Sequence, residues 1–132
     1  MIEFVDHTGE LELLVSDATL EGLYAEAVRG LAREVAEEEP AGGEEERALE
    51  LHSSGPDTLL ADLLNEVVFL METEGFLPSR LVVHEVAGGW LRGTLAGRAG
   101  LDVRPLVKAA TYHDLRVWRE GGLWRARVIL DV

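Results

Sequence analysis

The chain has 132 residues, enough to bury a sizeable core, and we expect a single domain over residues 1–132. It contains no cysteine, which excludes disulfides, zinc–thiolate sites and thiol catalysis. The net charge of −13 disfavours direct, high-affinity binding to nucleic acid because phosphate groups repel such a chain. No long apolar run and no signal-peptide pattern occur, so we expect a soluble, cytoplasmic protein with no membrane contact.

The first half of the chain predicts a strand, a helix, a second strand and a second helix. Residues 9–16 alternate at first and then become wholly apolar, as in a strand whose second half is covered on both faces. Thr19 is one of several capping residues before an amphipathic helix that runs from Leu20 to Val35. The acidic run 34–46 indicates the helix end and a solvated loop. A strand over residues 47–53 follows.

The second helix is predicted to be mostly buried, since apolar residues between Leu59 and Met71 cover more than half of its circumference. Residues 53–57 provide the break and N-cap before it, and Gly75 suits the position just after its end. Asp62, Asn65 and Glu66 occupy its polar side.

The last third of the chain has strand and turn patterns. We expect a hairpin of residues 81–86 and 90–97, a loop over 98–107, and a second hairpin of 111–120 and 123–132. Trp118 and Trp124 lie near the turn of the second hairpin, where they could meet across the strands. The predicted fold class is therefore α+β, in the order β-α-β-α-β-β-β-β, with mostly antiparallel sheet and two helices that cover one sheet.

Oxygen ligands gather at two points of the sequence that the fold can bring together. Glu10 opens the first predicted strand, and Asp131 and Val132 end the last one, where a side-chain carboxylate lies beside the terminal carboxylate. Hard divalent cations prefer such oxygen ligands. If the two strands are neighbours, the three residues form a metal site at the edge of the sheet. The alternative is a terminal Asp that is merely solvated.

Two further segments carry polar groups. Asp6, His7 and Thr8 either contribute to a site or form a turn that caps the strand. The segment Lys108-Ala109-Ala110-Thr111-Tyr112-His113 contains the only lysine of the chain, and its histidine can equally be an ordinary hydrogen-bonded residue at a strand start. Neither segment has the nucleophile–base pattern of a hydrolase, although a small metal-dependent hydrolase using His7 and His113 stays a minor alternative.

Taken together, these segments resemble the archease family. The resemblance rests on Asp6-His7-Thr8, Leu63-Leu64-Asn65-Glu66, Lys108-Ala109-Ala110-Thr111-Tyr112-His113 and the terminal Leu130-Asp131-Val132, in the family's order. It departs at Gly9-Glu10, where the family usually has Ala-Asp, and in the shorter loop before Lys108, which has Gly97-Arg98 in place of Gly-Glu.

The resemblance implies a non-catalytic accessory protein of an RtcB-type RNA ligase, which promotes guanylylation of that ligase and its multiple turnover in tRNA splicing. It implies a divalent ion, calcium, held by Glu10, Asp131 and a main-chain or terminal oxygen of Val132. Lys108 matches the lysine of the family motif. A general protein chaperone that acts through an exposed apolar patch is the alternative function.

Overall fold

The computed structural model describes residues 1–36, 45–103 and 106–132, and it contains two helices and eight strands within them. The elements are β1 (Ile2–His7), β2 (Glu10–Asp17), α1 (Leu20–Val35), β3 (Glu45–His52), α2 (Pro56–Glu74), β4 (Leu77–Ala87), β5 (Trp90–Arg98), β6 (Ala109–Ala110), β7 (Arg116–Glu120) and β8 (Leu123–Asp131). The predicted α+β class with two helices and antiparallel strands is confirmed.

The strands form two sheets rather than one. The five-stranded sheet has the order β1-β2-β8-β6, with β7 also paired to β8, and the three-stranded sheet has the order β3-β5-β4. Both helices contact both sheets, so the expectation that they cover a single sheet is wrong. The inner faces of the sheets and the apolar faces of the helices share one buried cluster. Two antiparallel sheets bury more apolar helix surface than one sheet can cover.

The start of α1 is fixed by a side-chain cap, as the sequence predicts. The Thr19 hydroxyl accepts a hydrogen bond from the backbone N–H of Gly22 at 3.0 Å. The predicted apolar stripe is buried, and the Tyr24 hydroxyl donates to the carbonyl oxygen of Pro56 at 2.9 Å. That bond connects α1 to the start of α2. Burial raises the pKa of the Tyr24 phenol, with the nearby Asp57 carboxylate as a second cause.

The second helix is longer than the apolar pattern predicts and is buried along most of its length. Gly55 is its N-cap, and Pro56 occupies the first turn, where its missing N–H needs no partner. Gly75 ends the helix in the left-handed conformation, with φ of 59°. A Cβ there would lie 2.2 Å from the carbonyl oxygen of Leu101, so only glycine fits. Among the described residues, no helix is long and apolar enough to span a membrane.

The structure adds an N-terminal strand that the sequence analysis did not identify. β1 pairs with β2 through a tight turn at Thr8 and Gly9, and Gly9 has a φ of +76°. Its apolar residues Ile2 and Phe4 are only partly buried. The alternating apolar positions of this strand are only Ile2 and Phe4, and the next alternate position is the charged Asp6. A pattern this short does not predict a strand from sequence alone. The strand covers the free edge of β2.

The predicted strand 111–120 is interrupted. Ala110 lies opposite Leu130 and Arg116 lies opposite Arg127. Between these two pairs the segment has five residues, 111–115, whereas β8 has only two, 128–129. The excess leaves the sheet as a turn in which Asp114 adopts a φ of +52°. The predicted strand is therefore two strands, β6 and β7, paired to different parts of β8.

The two tryptophans of the last hairpin do not meet. Trp118 lies opposite Arg125 and Trp124 lies opposite Arg119, which places the two rings in adjacent rows and on opposite faces of the sheet. Each ring instead packs against an arginine. The Arg116 guanidinium is 4.6 Å from the centroid of the Trp118 ring, and the Arg119 guanidinium is 5.7 Å from the centroid of the Trp124 ring. A shift of one residue in the turn decides which face each ring occupies.

Two loop predictions extend beyond the described residues. α1 ends at Val35 and β3 begins at Glu45, so Glu34 is helical and Glu45 and Glu46 belong to a strand. The rest of the predicted acidic loop, residues 37–44, lies outside the described residues. The loop predicted over 98–107 begins one residue later, because strand β5 includes Arg98. Its described residues, 99–103 and 106–107, form no helix or strand, and 104–105 lie outside the described residues.

Candidate functional site

The candidate metal ligands are brought to one edge of the five-stranded sheet by strand register. β2 and β8 are antiparallel neighbours, and Glu10 lies directly opposite Asp131. On the other side of β8, Ala109 lies opposite the same Asp131. Cross-strand partners share a face of the sheet with their Cβ atoms about 5 Å apart. The Glu10 and Asp131 carboxylates therefore leave neighbouring positions on the outer face, next to the chain end at Val132.

The donor set at this edge consists of oxygen atoms and suits a hard cation. Glu10, Asp131 and Val132 are all exposed, and the last has 39% of its surface accessible. Within the described ranges no group of three His, Cys, Asp or Glu side chains is arranged to hold a metal ion. The available ligands are the two side-chain carboxylates and an oxygen of Val132, and calcium binding stays a prediction from the sequence.

Lys108 is attached to this edge through its backbone. Its N–H donates to the carbonyl oxygen of Asp131 at 2.7 Å, so Lys108 is bonded to the same residue of β8 that lies opposite Ala109. The side chain is exposed, and within the described residues its ammonium group forms no ion pair or hydrogen bond. Lys108 therefore presents an uncompensated positive charge beside two carboxylate positions.

Asn65 holds the strand that carries Lys108. Its side-chain amide donates to the carbonyl oxygen of Ala110 at 3.0 Å and accepts from the N–H of Ala110 at 2.8 Å. This pair of bonds replaces the strand neighbour that β6 lacks on its outer edge. The sequence pattern alone predicts only that Asn65 lies on the polar side of α2. The available signal was that it is the chain's one side-chain amide, in a helix that is otherwise mostly buried.

The next two residues of the segment are fixed in the same way. Thr111 donates to the carbonyl oxygen of Ile129 both from its backbone N–H, at 2.9 Å, and from its hydroxyl, at 3.0 Å. The Tyr112 hydroxyl donates to Asp62 on α2, which also accepts from Ser53. The hydrogen bond to Asp62 raises the pKa of the Tyr112 phenol. The Tyr112 ring nevertheless stays 59% exposed.

Asp6 and His7, the last two residues of β1, lie on opposite faces of the sheet. His7 lies opposite Glu10 and its Nε2 is 3.2 Å from a carboxylate oxygen of Glu12, on the face that carries Asp131. Asp6 is opposite Leu11 and belongs to the other face, where its charge helps to raise the pKa of Glu34 after the larger effect of burial. The structure thus brings His7, but not Asp6, towards Glu10. Thr8 lies in the turn.

His113 lies away from this edge, in the turn that interrupts the sheet. Its Nε2 is 3.3 Å from the carboxylate of Asp114, and both side chains are well exposed, at 71% and 61%. The turn opens towards Arg127, whose Nε donates to the carbonyl oxygen of Asp114 at 3.1 Å. His7 and His113 lie on different edges of the fold, which leaves the hydrolase alternative without a shared site.

Comparison with known proteins identifies the family. Residues 2–132 match the Archease protein family. The chain belongs to the archease family. Protein archease of Methanopyrus kandleri is 34% identical to it over 98% of each chain. Protein archease of Methanothermobacter thermautotrophicus is 32% identical, over 98% of this chain and 97% of that one. The resemblance noted in the sequence is therefore confirmed.

Solved archease structures have the same fold. The solution structure of protein 1598 from Methanobacterium thermoautotrophicum superposes with a TM-score of 0.81 at 32% identity, covering 99% of this chain and 98% of that one. A crystal structure from Thermotoga maritima, described as an archease and possible chaperone, gives a TM-score of 0.69 at 23% identity, covering 100% and 98%. The latter likeness concerns the fold alone.

Proposed function

We propose that this archease-family protein is a non-catalytic accessory factor of an RtcB-type RNA ligase, whose guanylylation and multiple turnover it promotes. Family membership makes a helper protein with a protein partner the starting point, since the Thermotoga maritima relative is described as a possible chaperone. The observation that carries the finer proposal is the convergence of Glu10, Asp131 and Lys108 at one exposed sheet edge.

The edge is suited to act on a partner rather than on a substrate of its own. Glu10, Asp131 and Lys108 are exposed on strand ends instead of lining an enclosed pocket. General acid–base or nucleophilic catalysis needs groups within hydrogen-bond reach of one another around a reacting atom. An exposed edge with charges of both signs is instead suited to insertion into the active site of another enzyme, which supplies the enclosure.

Calcium is the cofactor that we propose for this edge, held by the carboxylates of Glu10 and Asp131 and by a main-chain or terminal oxygen of Val132. When bound, the ion supplies positive charge that interacts with phosphate oxygens. Glu10 has one methylene more than the family's usual aspartate and reaches further from the strand. Because a flexible glutamate can bind a hard cation through both oxygens, the substitution is compatible with calcium.

Lys108 contributes a positive charge that does not depend on the ion. Its ammonium group is exposed and unpaired within the described part of the chain, while its backbone is fixed to Asp131. During nucleotide transfer a developing phosphate charge is stabilised by cations already in position. Asn65 and Thr111 provide this positioning by holding β6 from both sides.

The test is RNA ligation by the ligase of the same organism, with RNA in large excess over enzyme. We expect the wild-type protein to convert a single round of ligation into many. Asp131→Ala and Lys108→Ala each remove this stimulation, by about tenfold or more if they act on transition-state charge. Calcium chelation reduces the stimulation by the wild-type protein and does not reduce further what remains with Asp131→Ala.

Matched controls lie on the other sheet. Glu85→Ala and Arg92→Ala remove one carboxylate and one cation from exposed positions on β4 and β5. They are expected to stimulate ligation like the wild-type protein. Stimulation that survives both Asp131→Ala and Lys108→Ala would contradict the proposal, as would loss of stimulation in the controls to the same degree.

A general chaperone is the second candidate, and one feature favours it. Four large apolar side chains are exposed around the segment that carries Lys108 or on the part of α2 that runs beside it: Phe69 at 55%, Leu106 at 66%, Tyr112 at 59% and Val132 at 39%. Exposed apolar groups can hold unfolded clients. This function predicts that aggregation of unrelated proteins is suppressed without calcium and that Leu106→Ser or Phe69→Ser weakens the suppression. Ligase-specific stimulation with no effect on such clients excludes it.

A further inference from the structure

The outer side of the β7–β8 hairpin carries a cluster of arginines around one tryptophan, which we call the arginine face. Arg116 lies opposite Arg127, and Trp118 lies opposite Arg125 in the next row. Cross-strand partners and alternate residues along a strand share one face, so the four side chains form a continuous patch. The patch is on the same side of the five-stranded sheet as Glu10 and Asp131.

The arginines of this face are held in place but are not neutralised. The Arg116 guanidinium lies 4.6 Å from the centroid of Trp118. Arg125 and Arg127 donate from Nε to the carbonyl oxygens of Glu120 and Asp114, at 3.4 Å and 3.1 Å. Within the described residues none of the three forms an ion pair, although the chain has 25 acidic residues. Their terminal NH groups therefore remain available as a prearranged fork for an anion.

The arrangement costs stability. Like charges directly opposite each other in a sheet are unfavourable, and Arg116 and Arg127 are such a pair. Residues 116–127 contain four arginines and one glutamate in a chain whose net charge is −13. A glutamate at either position would relieve the repulsion. The unneutralised pair is thus the kind of local conflict expected at a binding surface rather than at an ordinary solvated one.

A polar atom in the same patch also lacks a partner. The indole N–H of Trp118 is buried and, among the described residues, has no acceptor. Trp118 and Arg125 line a cavity of about 160 Å³ together with Glu3 and Ser16. Buried indole N–H groups usually find an acceptor.

The charge pattern of the whole face distinguishes between anionic partners. Asp131 is four residues beyond Arg127 on β8, about 13 Å along the strand. Glu10 and Glu12 flank it on β2. A nucleic-acid strand has negative charge along its full length and would meet these carboxylates within about two screening lengths of the arginines. A protein surface can present both signs, with carboxylates opposite the arginines and cations opposite the acidic end.

We propose that Arg116, Trp118, Arg125 and Arg127 form a docking surface for an acidic patch on the protein partner, beside the part of that partner that receives the acidic sheet edge. The inference rests on the proposed function, in which the partner is the RNA ligase. Trp and Arg are the side chains most enriched in the energetically dominant part of protein interfaces. Docking at this second point fixes the orientation in which Lys108 and Asp131 are presented.

The experiment measures binding of the full-length protein to its ligase by calorimetry and, in parallel, stimulation of ligation. The double variant Arg116→Gln/Arg127→Gln is compared with Arg80→Gln/Arg92→Gln, which removes the same charge from the three-stranded sheet. We expect the first to weaken binding by about tenfold or more, with a reduced dependence on salt, and the second to bind within about twofold of wild type. A large excess of the first variant over ligase should restore stimulation, because its Glu10, Asp131 and Lys108 are intact.

Each outcome decides between the claims. If the wild-type protein stimulates the ligase and Arg116→Gln/Arg127→Gln binds equally well, the docking surface is wrong and the proposed function stands. If the wild-type protein neither binds nor stimulates, both are wrong. A third measurement uses a short single-stranded RNA without ligase. Binding of this RNA by the wild-type protein that is lost in the double variant would assign the arginine face to nucleic acid and overturn the protein partner.

Discussion

The arrangement of charged side chains differs between the outer faces of the two sheets. On the three-stranded sheet, charged and polar side chains pair with one another across the strands. Arg92 is 3.6 Å from Glu85, and the His84 ring is 2.9 Å from the Thr94 hydroxyl. On the five-stranded sheet, the cations gather on the β7–β8 hairpin and the carboxylates at the ends of β2 and β8. Charges that pair within one surface are already neutralised, whereas charges that are separated by sign remain available to the charges of a partner.

The two sheets also differ in how their edges are built. β3, β5 and β4 have eight, nine and eleven residues, and they are bonded to one another along nearly their full length. The five-stranded sheet ends on one side in β6, a strand of two residues whose free edge is bonded by a side chain of α2. The sheet that carries the candidate site is therefore the one whose edge is bonded by side chains of a helix, Asn65 at β6 and Asp57 at the N–H of Val117 in β7.

The largest effect in this comparison is expected from Asn65→Ala. The change removes two hydrogen bonds and leaves the N–H and carbonyl groups of Ala110, which is only 4% exposed, without partners. Unsatisfied buried backbone groups cost about 1–3 kcal/mol each, so we expect a loss of about 2–3 kcal/mol in the free energy of unfolding. Urea denaturation measures it, and hydrogen exchange of the Ala110 amide should become faster.

Glu66→Ala is the matched control for this prediction. Glu66 is the next residue of α2, has intermediate exposure and forms no hydrogen bond within the described structure. Its replacement should leave the free energy of unfolding within about 0.5 kcal/mol of wild type. Equal effects of the two substitutions would mean that Asn65 does not hold β6.

A smaller effect of opposite sign is expected from Arg116→Glu. The new carboxylate would lie opposite Arg127 and turn a repulsive cross-strand pair into an attractive one. Such pairs contribute about 0.2–1 kcal/mol, so the free energy of unfolding should rise by this amount in low salt and less in high salt. Arg92→Glu is the mirror experiment, since it replaces an attractive pair with repulsion against Glu85 and should destabilise. If Arg116→Glu also destabilised the fold, the arginine face would be a structural feature.

Local pattern was sufficient to predict the helices and most strands. The apolar stripe of α1 and its Thr19 cap, and the position of Gly75 after α2, are confirmed because each is encoded within a few neighbouring residues. β1 was missed because its burial is partial and is supplied by pairing with β2. The interruption between β6 and β7 was missed because it depends on register against β8, a relation between segments distant in the sequence.

The candidate site, too, could be predicted only where neighbouring residues or paired strands determine it. Glu10 was expected to approach Asp131 on the condition that their strands are neighbours, and β2 and β8 are paired with these two residues opposite each other. Asp6 was grouped with His7 by adjacency in sequence, yet alternation along β1 sends consecutive side chains to opposite faces. The role of Asn65 could not be predicted, because its partner is the backbone of a residue 45 positions away. Backbone partners carry no signature in the sequence.

The smallest effect concerns Glu34, where the end of α1 approaches the turn side of β1. Burial, and then the charge of Asp6, raise the pKa of its carboxyl group in the folded state. A raised pKa means that the folded state disfavours the ionised form, so the carboxylate destabilises the fold above its raised pKa and has no such effect below its unfolded value. Its place in the last turn of a helix adds to the cost. Glu34→Gln should therefore increase the free energy of unfolding at about pH 7, by about 0.5 kcal/mol or less because the carboxyl group is only partly buried. The gain should vanish as the pH falls towards about 4 and should shrink in an Asp6→Asn background. Chemical denaturation across this pH range measures Glu34→Gln in both backgrounds, and a gain that grew on acidification would reverse the assigned direction of the Glu34 pKa.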